Sequence, residues 1–208
     1  MDFALIETLR WEPEAGFVRG GLHLDRLRAS AEALGFIFDE VAVLVAMEGI
    51  AAGDAALRVR LELARDGQPS TTASPFVAHS PETVWTVAIA STRLASTDPL
   101  LRHKTTRRDV YKAARAEFPA SEIDEVILLN EAGFICEGTI TNIFVRREQD
   151  GPLLTPPLSC GLLPGVLRRA LVETGAVYEE MLTPEDLAAA AQVFCGNSLR
   201  GLIPAMLV

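Results

Sequence analysis

The sequence predicts a mixed α/β (α+β) protein built as two domains, and three observations predict it. Leu24, Leu27, Ala31 and Leu34 recur at helical spacing. Leu57, Val59, Leu61 and Leu63 alternate with Arg58, Arg60 and Glu62, the period of a half-buried strand. A stretch of Ser, Thr, Asp and Pro from Ser91 to Pro99 then separates two groups of such elements. The chain has 208 residues, enough for one large or two small domains with a real core.

In order, Phe3–Trp11 reads as a strand, followed by a Glu-Pro-Glu-Ala-Gly turn. A helix is expected over His23–Leu34 with Gly35 as its C-terminal cap, and a second over Asp39–Met47. The strand Leu57–Leu63 leaves through Asp66-Gly67, Pro69–Ala78 is rich in Ser and Thr, and Val84–Ala90 is another strand. Residues 1–90 thus form a small α+β domain, 91–99 a linker and 100–208 a larger C-terminal domain. In the latter, a helix over Thr105–Phe118 is stopped by Pro119. Strands Glu125–Leu129 and Phe134–Val145 flank a turn at Asn130–Gly133. A helix opens at Leu163-Pro164-Gly165-Val166 and runs to about Thr174, Pro184 starts a short one ending near Ala191, and Val193–Cys195 is a last strand. There is no internal repeat or low-complexity tract.

Composition narrows the function classes. Hydrophobic residues make up 49% and charged residues 23% of the chain, which excludes a disordered protein. Nineteen Lys and Arg stand against 28 Asp and Glu, a formal net charge of −9, so neither nucleic acid nor an anionic membrane is the expected partner. Cys136, Cys160 and Cys195 are scattered and odd in number, as suits reduced thiols. The opening Met1-Asp2-Phe3-Ala4-Leu5-Ile6-Glu7 has no basic region, and no uncharged apolar run reaches about 20 residues. A cytoplasmic protein without a membrane span is expected, and no metal-ligand pattern is present.

Four segments could carry chemistry. Arg102-His103-Lys104-Thr105-Thr106-Arg107-Arg108 is either a solvated basic loop or a lysine whose cationic neighbours lower its pKa and make it a Schiff-base nucleophile. In Glu137-Gly138-Thr139-Ile140-Thr141-Asn142 an acid sits in a strand built for burial; it either faces water at an edge or needs a partner. Leu163-Pro164-Gly165 leads straight into a helix, whose N-terminus is either capped or an anion site. Gly196-Asn197-Ser198-Leu199-Arg200-Gly201 offers amides and a hydroxyl suited to a phosphate.

Together with His23-Leu24-Asp25-Arg26-Leu27, these motifs resemble, in order and spacing, the class IV aminotransferase family over nearly the whole chain. These are the fold-type IV pyridoxal-phosphate enzymes: branched-chain aminotransferases, D-amino-acid aminotransferases and aminodeoxychorismate lyases. The resemblance implies a two-domain subunit like that of D-amino-acid aminotransferase, working as a homodimer with pyridoxal 5'-phosphate between the domains. It implies that Lys104 forms the Schiff base with the cofactor and moves the proton, and that Glu137 pairs with the pyridinium nitrogen. Arg26 matches the arginine on the cofactor phosphate, and Val166 and Leu167, after Gly165, match amides on the same group. Asn197 and Ser198 match the turn that closes the phosphate cup, and Asn142 completes the Glu137 motif.

Branched-chain aminotransferases carry a tyrosine five residues after the lysine; here that position is Asp109, and the nearest tyrosine is Tyr111. The stretches Lys104–Tyr111 and Gly196–Pro204 are more similar to aminodeoxychorismate lyase-type domains. That likeness implies a small anionic substrate with two carboxylates, for which Arg107, Arg200 and Arg60 are candidate contacts, with Tyr111 beside them. For Arg60 a solvent-facing strand position is the alternative. The reaction implied is release of pyruvate and formation of 4-aminobenzoate for folate synthesis. A transaminase acting on branched-chain or D-amino acids with 2-oxoglutarate would share every cofactor contact, and a non-catalytic pyridoxal-phosphate binder is the alternative from another class. Family members usually carry a further strand and a Gly-Asp-Gly-type turn ahead of the segment matching Phe3–Thr8, so part of the small domain is expected to be missing here.

Overall fold

The computed structural model describes residues 3–208; Met1 and Asp2, which open the stretch without signal-peptide character, lie outside the described residues. Two compact units emerge, the first running to Ala78 and taking back His103–Arg107, the second holding His79–Arg102 and Arg108–Val208. Residues 91–99, expected as the linker, lie within the second unit.

The first unit is a four-stranded antiparallel sheet with two helices. The strands β1 (Leu5–Glu12), β2 (Gly16–Phe17), β3 (Leu57–Leu63) and β4 (Pro69–Pro75) stand in the order β2-β1-β3-β4. The helices are α1 (Gly20–Leu34) and α2 (Glu40–Ile50). Alternation along β1 and β3 puts Leu5, Leu9, Leu61 and Leu63 on one face, where they bury against Leu27 and Ala31 of α1 and Val43 and Met47 of α2. Gly35 ends α1 as expected, its amide donating to Ala31 O, and the Asp39 carboxylate caps α2 through the amides of Val41 and Ala42. The Ser/Thr-rich segment is β4, an edge strand. Its side chains are mostly exposed, so it lacks the apolar alternation that marks a strand in sequence.

The second unit is an eight-stranded mixed sheet. Its members are β5 (Trp85–Leu94), β6 (Glu125–Asn130), β7 (Ile135–Gly138), β8 (Asn142–Arg146), β9 (Leu153–Thr155), β10 (Val177–Glu179), β11 (Gln192–Asn197) and β12 (Gly201–Leu207). They run in the order β10-β9-β8-β11-β12-β5-β6-β7, and β7 also pairs with β8, so β8, β11, β12, β5, β6 and β7 close into a ring. Both faces of the central strands are covered. Val87, Ile127, Ile143, Cys195 and Ile203 form one core, and Ala88, Ala90, Val126, Leu128 and Cys136 form another with Ala114. Strands buried on both faces read as continuous apolar runs, which is why β6 is visible in the sequence. The helices are α3 (Asp109–Arg115), α4 (Val166–Glu173) and α5 (Pro184–Ala188). Among the described residues no helix is long and apolar enough to cross a membrane.

The structure corrects several expected bounds. Ser91–Leu94 end β5 instead of starting a linker. The helix expected over Thr105–Phe118 is only Asp109–Arg115, because the backbone of residues 104–106 pairs with the start of β1. The strand expected over Phe134–Val145 is two strands, broken by a turn through Gly138–Thr141. The third helix of this unit ends at Ala188, and β9, β10 and β12 carried no clear period-two signal.

Candidate active site

In the first unit the organising group is Glu7. Alternation along β1 places it on the helix-facing side between Leu5 and Leu9, only 1% exposed. A carboxylate there is costly unless matched by donors. His23 and Arg26, three residues apart on α1, supply them. Arg26 Nε donates to Oε1 at 2.8 Å and Nη2 to Oε2 at 2.6 Å, while His23 Nδ1 donates to Oε2 at 2.6 Å. Burial pushes the Glu7 carboxyl up, but the Arg26 guanidinium and the His23 hydrogen bond outweigh it and hold the group at about 2. One edge of the Arg26 guanidinium is thereby fixed.

Lys104 reaches the same strand through its backbone. Ile6 N donates to Lys104 O at 2.9 Å, Thr106 N to Ala4 O at 2.9 Å, and Ala4 N to Thr106 Oγ1 at 3.0 Å. The preceding His103 meets Ser30 Oγ of α1 at 2.9 Å, so the lysine's main chain is held on both sides. Arg107 N donates to Thr105 Oγ1 at 3.2 Å. Arg60 lies on the other face of β3, opposite Thr8, where its Nε donates to Glu62 Oε1 at 2.8 Å.

In the second unit the acid of the Glu137 motif is buried at the end of β7, not at a solvated edge. Tyr111 Oη of α3 donates to Glu137 Oε1 at 2.7 Å. Burial, then the nearby Glu137 charge, push the Tyr111 phenol far up, so it stays a protonated donor. Arg108, one helical turn before Tyr111, stacks over its ring at 4.5 Å and donates to Thr139 O.

Asn142 pairs with Glu137 across the β7–β8 turn, and its Nδ2 donates to Leu163 O at 3.0 Å. Its Oδ1 would lie 1.9 Å from a Cβ at position 165, so only glycine fits there. Gly165 is the N-cap of α4, and among the described residues no side chain caps that helix, which leaves the amides of Val166 and Leu167 at its first turn without a side-chain acceptor there. Asn197, at the end of β11, donates from Nδ2 to Ile140 O at 3.2 Å and accepts from Arg200 N at 3.0 Å. Ser198 is buried in the turn that follows, and Arg200 faces the Trp85 ring at 6.0 Å.

A family model described as amino-transferase class IV matches residues 4–208. The chain belongs to the class IV aminotransferase family. A Schizosaccharomyces pombe protein named "Putative aminodeoxychorismate lyase" is 31% identical over 98% of this chain and 89% of its own length. A Thermotoga maritima protein named "Probable branched-chain-amino-acid aminotransferase" is 30% identical over 97% of this chain and 76% of its own. Among solved structures, one described as a putative amino-acid aminotransferase from Mesorhizobium loti superposes with a TM-score of 0.97 at 48% identity, covering all of both chains.

Class IV aminotransferases and aminodeoxychorismate lyases use pyridoxal phosphate, and this chain is accordingly a pyridoxal-phosphate-dependent lyase or aminotransferase of that fold. The donor set of the second unit fits such a group. It offers a buried acid for a protonated ring nitrogen, and for a phosphate an uncapped helix start behind an obligatory glycine. Hydrogen bonds link Tyr111 to Glu137, Asn142 to Leu163, and Asn197 to the turn that follows Glu137. Lys104, Arg26, Arg107 and Arg60 belong to the first unit. Among the described residues no group of three or more His, Cys, Asp or Glu could hold a metal.

The sequence reading does not single out Glu7 or Arg108 as site residues; it names Tyr111 as a substrate contact, and in the structure the Tyr111 hydroxyl donates to Glu137. Glu7 had left a signal: an acid at a core position of an alternating strand calls for a buried partner. The tyrosine's partner lies 26 residues away in sequence, and nothing local indicates it.

Proposed function

We propose that this protein is a 4-amino-4-deoxychorismate lyase, releasing pyruvate and leaving 4-aminobenzoate. The observation that carries the reading is the use of α3. Asp109, where branched-chain enzymes have their tyrosine, has a 91% exposed side chain, while Tyr111 is spent on Glu137. A branched-chain aminotransferase site lacks support at that position. The similarity to the Schizosaccharomyces pombe protein over nearly its full length points the same way.

When bound, pyridoxal phosphate supplies an aldehyde that takes the substrate amine and a ring that accepts electrons from it. The chain's own residues do the rest. Lys104 would hold the cofactor carbonyl and then carry protons. Glu137, fixed by Tyr111, would keep the ring nitrogen protonated. Arg26, the Val166 and Leu167 amides, Asn197 and Ser198 would hold the phosphate, with Gly165 and Asn142 setting the helix start. Arg107, Arg200 and Arg60 are the candidate contacts for the two substrate carboxylates. The two products together contain every atom of the substrate, so no keto-acid partner is needed. We take the enzyme to work as a homodimer, as the family resemblance implies, and in the cytoplasm.

Purified protein incubated with aminodeoxychorismate and pyridoxal phosphate should release pyruvate with no keto acid added, and Lys104→Ala should be colourless and inactive. Amine transfer only when both an amino acid and 2-oxoglutarate are supplied would replace this reading with a transaminase, which the name of the Mesorhizobium loti relative favours. A wild-type protein that binds the cofactor without turning over either substrate set would make it a binder.

A further inference from the structure

Glu125, the first residue of β6, is 0% exposed, and among the described residues no cation pairs with it. Its carboxylate is instead surrounded by donors. Oε1 accepts from Val126 N at 2.9 Å, Thr139 N at 2.9 Å and Thr139 Oγ1 at 2.6 Å. Oε2 accepts from Ile140 N at 3.0 Å and Thr141 Oγ1 at 2.8 Å. An ionised carboxylate is acceptor-only, and amide N–H groups can only donate, so the surroundings and the group match. All but the Val126 amide come from the turn between Glu137 and Asn142. The approach is close enough that a Cβ at position 138 would lie 2.7 Å from Glu125 Oε2 and 2.5 Å from Thr141 Oγ1.

The amides of Thr139 and Ile140 and the two threonine hydroxyls are thus drawn inward, the Thr139 amide shared with Val126 O, and the turn's carbonyls point to other partners. Thr139 O accepts from Arg108, Ile140 O from Asn197 Nδ2 at 3.2 Å, and Thr141 O from Gly138 N at 2.8 Å. Its two ends are Glu137 and Asn142, whose pairing closes the strand ring. A buried carboxylate without a cation is an expensive way to close a hairpin, which apolar side chains would do at least as well. What it adds is a fixed position for four polar contacts at once.

We propose that Glu125 is a positioning residue: through the 138–141 turn its carboxylate sets where Glu137, Asn142 and Asn197 stand. The inference rests on the reading of Glu137 as the cofactor's acid. It predicts that Glu125→Gln, which turns an amide N–H₂ toward groups that themselves donate, loosens the turn selectively. In the protein without cofactor, amide exchange at Ile140 should accelerate at least tenfold, and at Thr139, whose amide also donates to Val126 O at 3.0 Å, by less, while β12 stays protected as in wild type. Pyridoxal phosphate titrated into the same variant should bind at least tenfold more weakly, with a shifted visible band. Thr141→Val, which removes one donor and keeps the side-chain shape, should show the same effects more weakly, and it covers the case in which Glu125→Gln does not fold. Exchange and affinity unchanged in both variants would overturn the proposal. So would exchange that rises equally throughout the second unit, which marks a merely structural role. If wild type fails to bind pyridoxal phosphate, the reading of Glu137 fails instead, and the exchange arm still decides whether Glu125 orders the turn.

Discussion

Tyr111 Oη donates to Glu137 Oε1 at 2.7 Å, and Arg108 stacks over the same tyrosine ring at 4.5 Å. One turn of α3 therefore secures the acid of a strand that begins 20 residues beyond that helix. A neutral phenol donating to a buried carboxylate stabilises its charged form, worth about 1.5–3 kcal/mol for a hydrogen bond to an ion. Tyr111→Phe should retain the wild-type circular dichroism spectrum. It should bind pyridoxal phosphate about tenfold more weakly, measured by absorbance titration.

The Glu7–His23–Arg26 cluster predicts a pH dependence of stability. Glu7 is fully buried, and its carboxyl falls from 4.5 to about 2 on folding. A depressed carboxylate contributes stability that is fully present above the unfolded value, and it is lost as pH falls through the folded one. The contribution, on the order of 3 kcal/mol from the shift alone, should therefore be intact at pH 7 and disappear between about pH 4.5 and pH 2. Urea unfolding of wild type and Glu7→Gln should show a large gap at pH 7 that narrows across that window. A gap that widened toward acid would have the opposite sign and refute the assignment.

Position 165 tolerates no side chain. A Cβ there would stand 1.9 Å from Asn142 Oδ1, so Gly165→Ala must expel the asparagine and break its bond to Leu163 O. Over-packing of this kind costs about 1–3 kcal/mol. The melting temperature should fall by roughly 5–10 °C. Pyridoxal-phosphate affinity should fall with it if the start of α4 serves the phosphate.

The three cysteines are all buried, and burial raises the pKa of each thiol. A thiol-reactive dye should label no cysteine within minutes in the native protein and all three in denaturant. Rapid labelling of one of them in the native state would contradict this packing.

How much of this was legible in the sequence depends on where each signal lies. The α1 stripe, its Gly35 cap and the alternation of β3 are local patterns, and the structure has them nearly where the periodicity puts them. The β7–β8 region was read as one strand. Gly138 and the two threonines of its turn are ordinary strand-tolerated residues until Glu125, 13 positions before Gly138, brings its carboxylate against them. The sequence starts the helix at Thr105 because nothing local says that the backbone of residues 104–106 bonds to the start of β1.

The sequence by itself determined the family, through the ordered motifs around Arg26, Lys104, Glu137, Gly165 and Asn197, together with the α/β class and the acidic charge. Only the tertiary structure decided what holds those residues: Glu7 on Arg26, Tyr111 on Glu137, Asn142 on the start of α4 and Glu125 on the turn between them. The reason is physical. Periodicity and capping act within a few residues and leave a local trace, whereas a buried ion is satisfied by whichever donors the fold brings to it, at any separation along the chain.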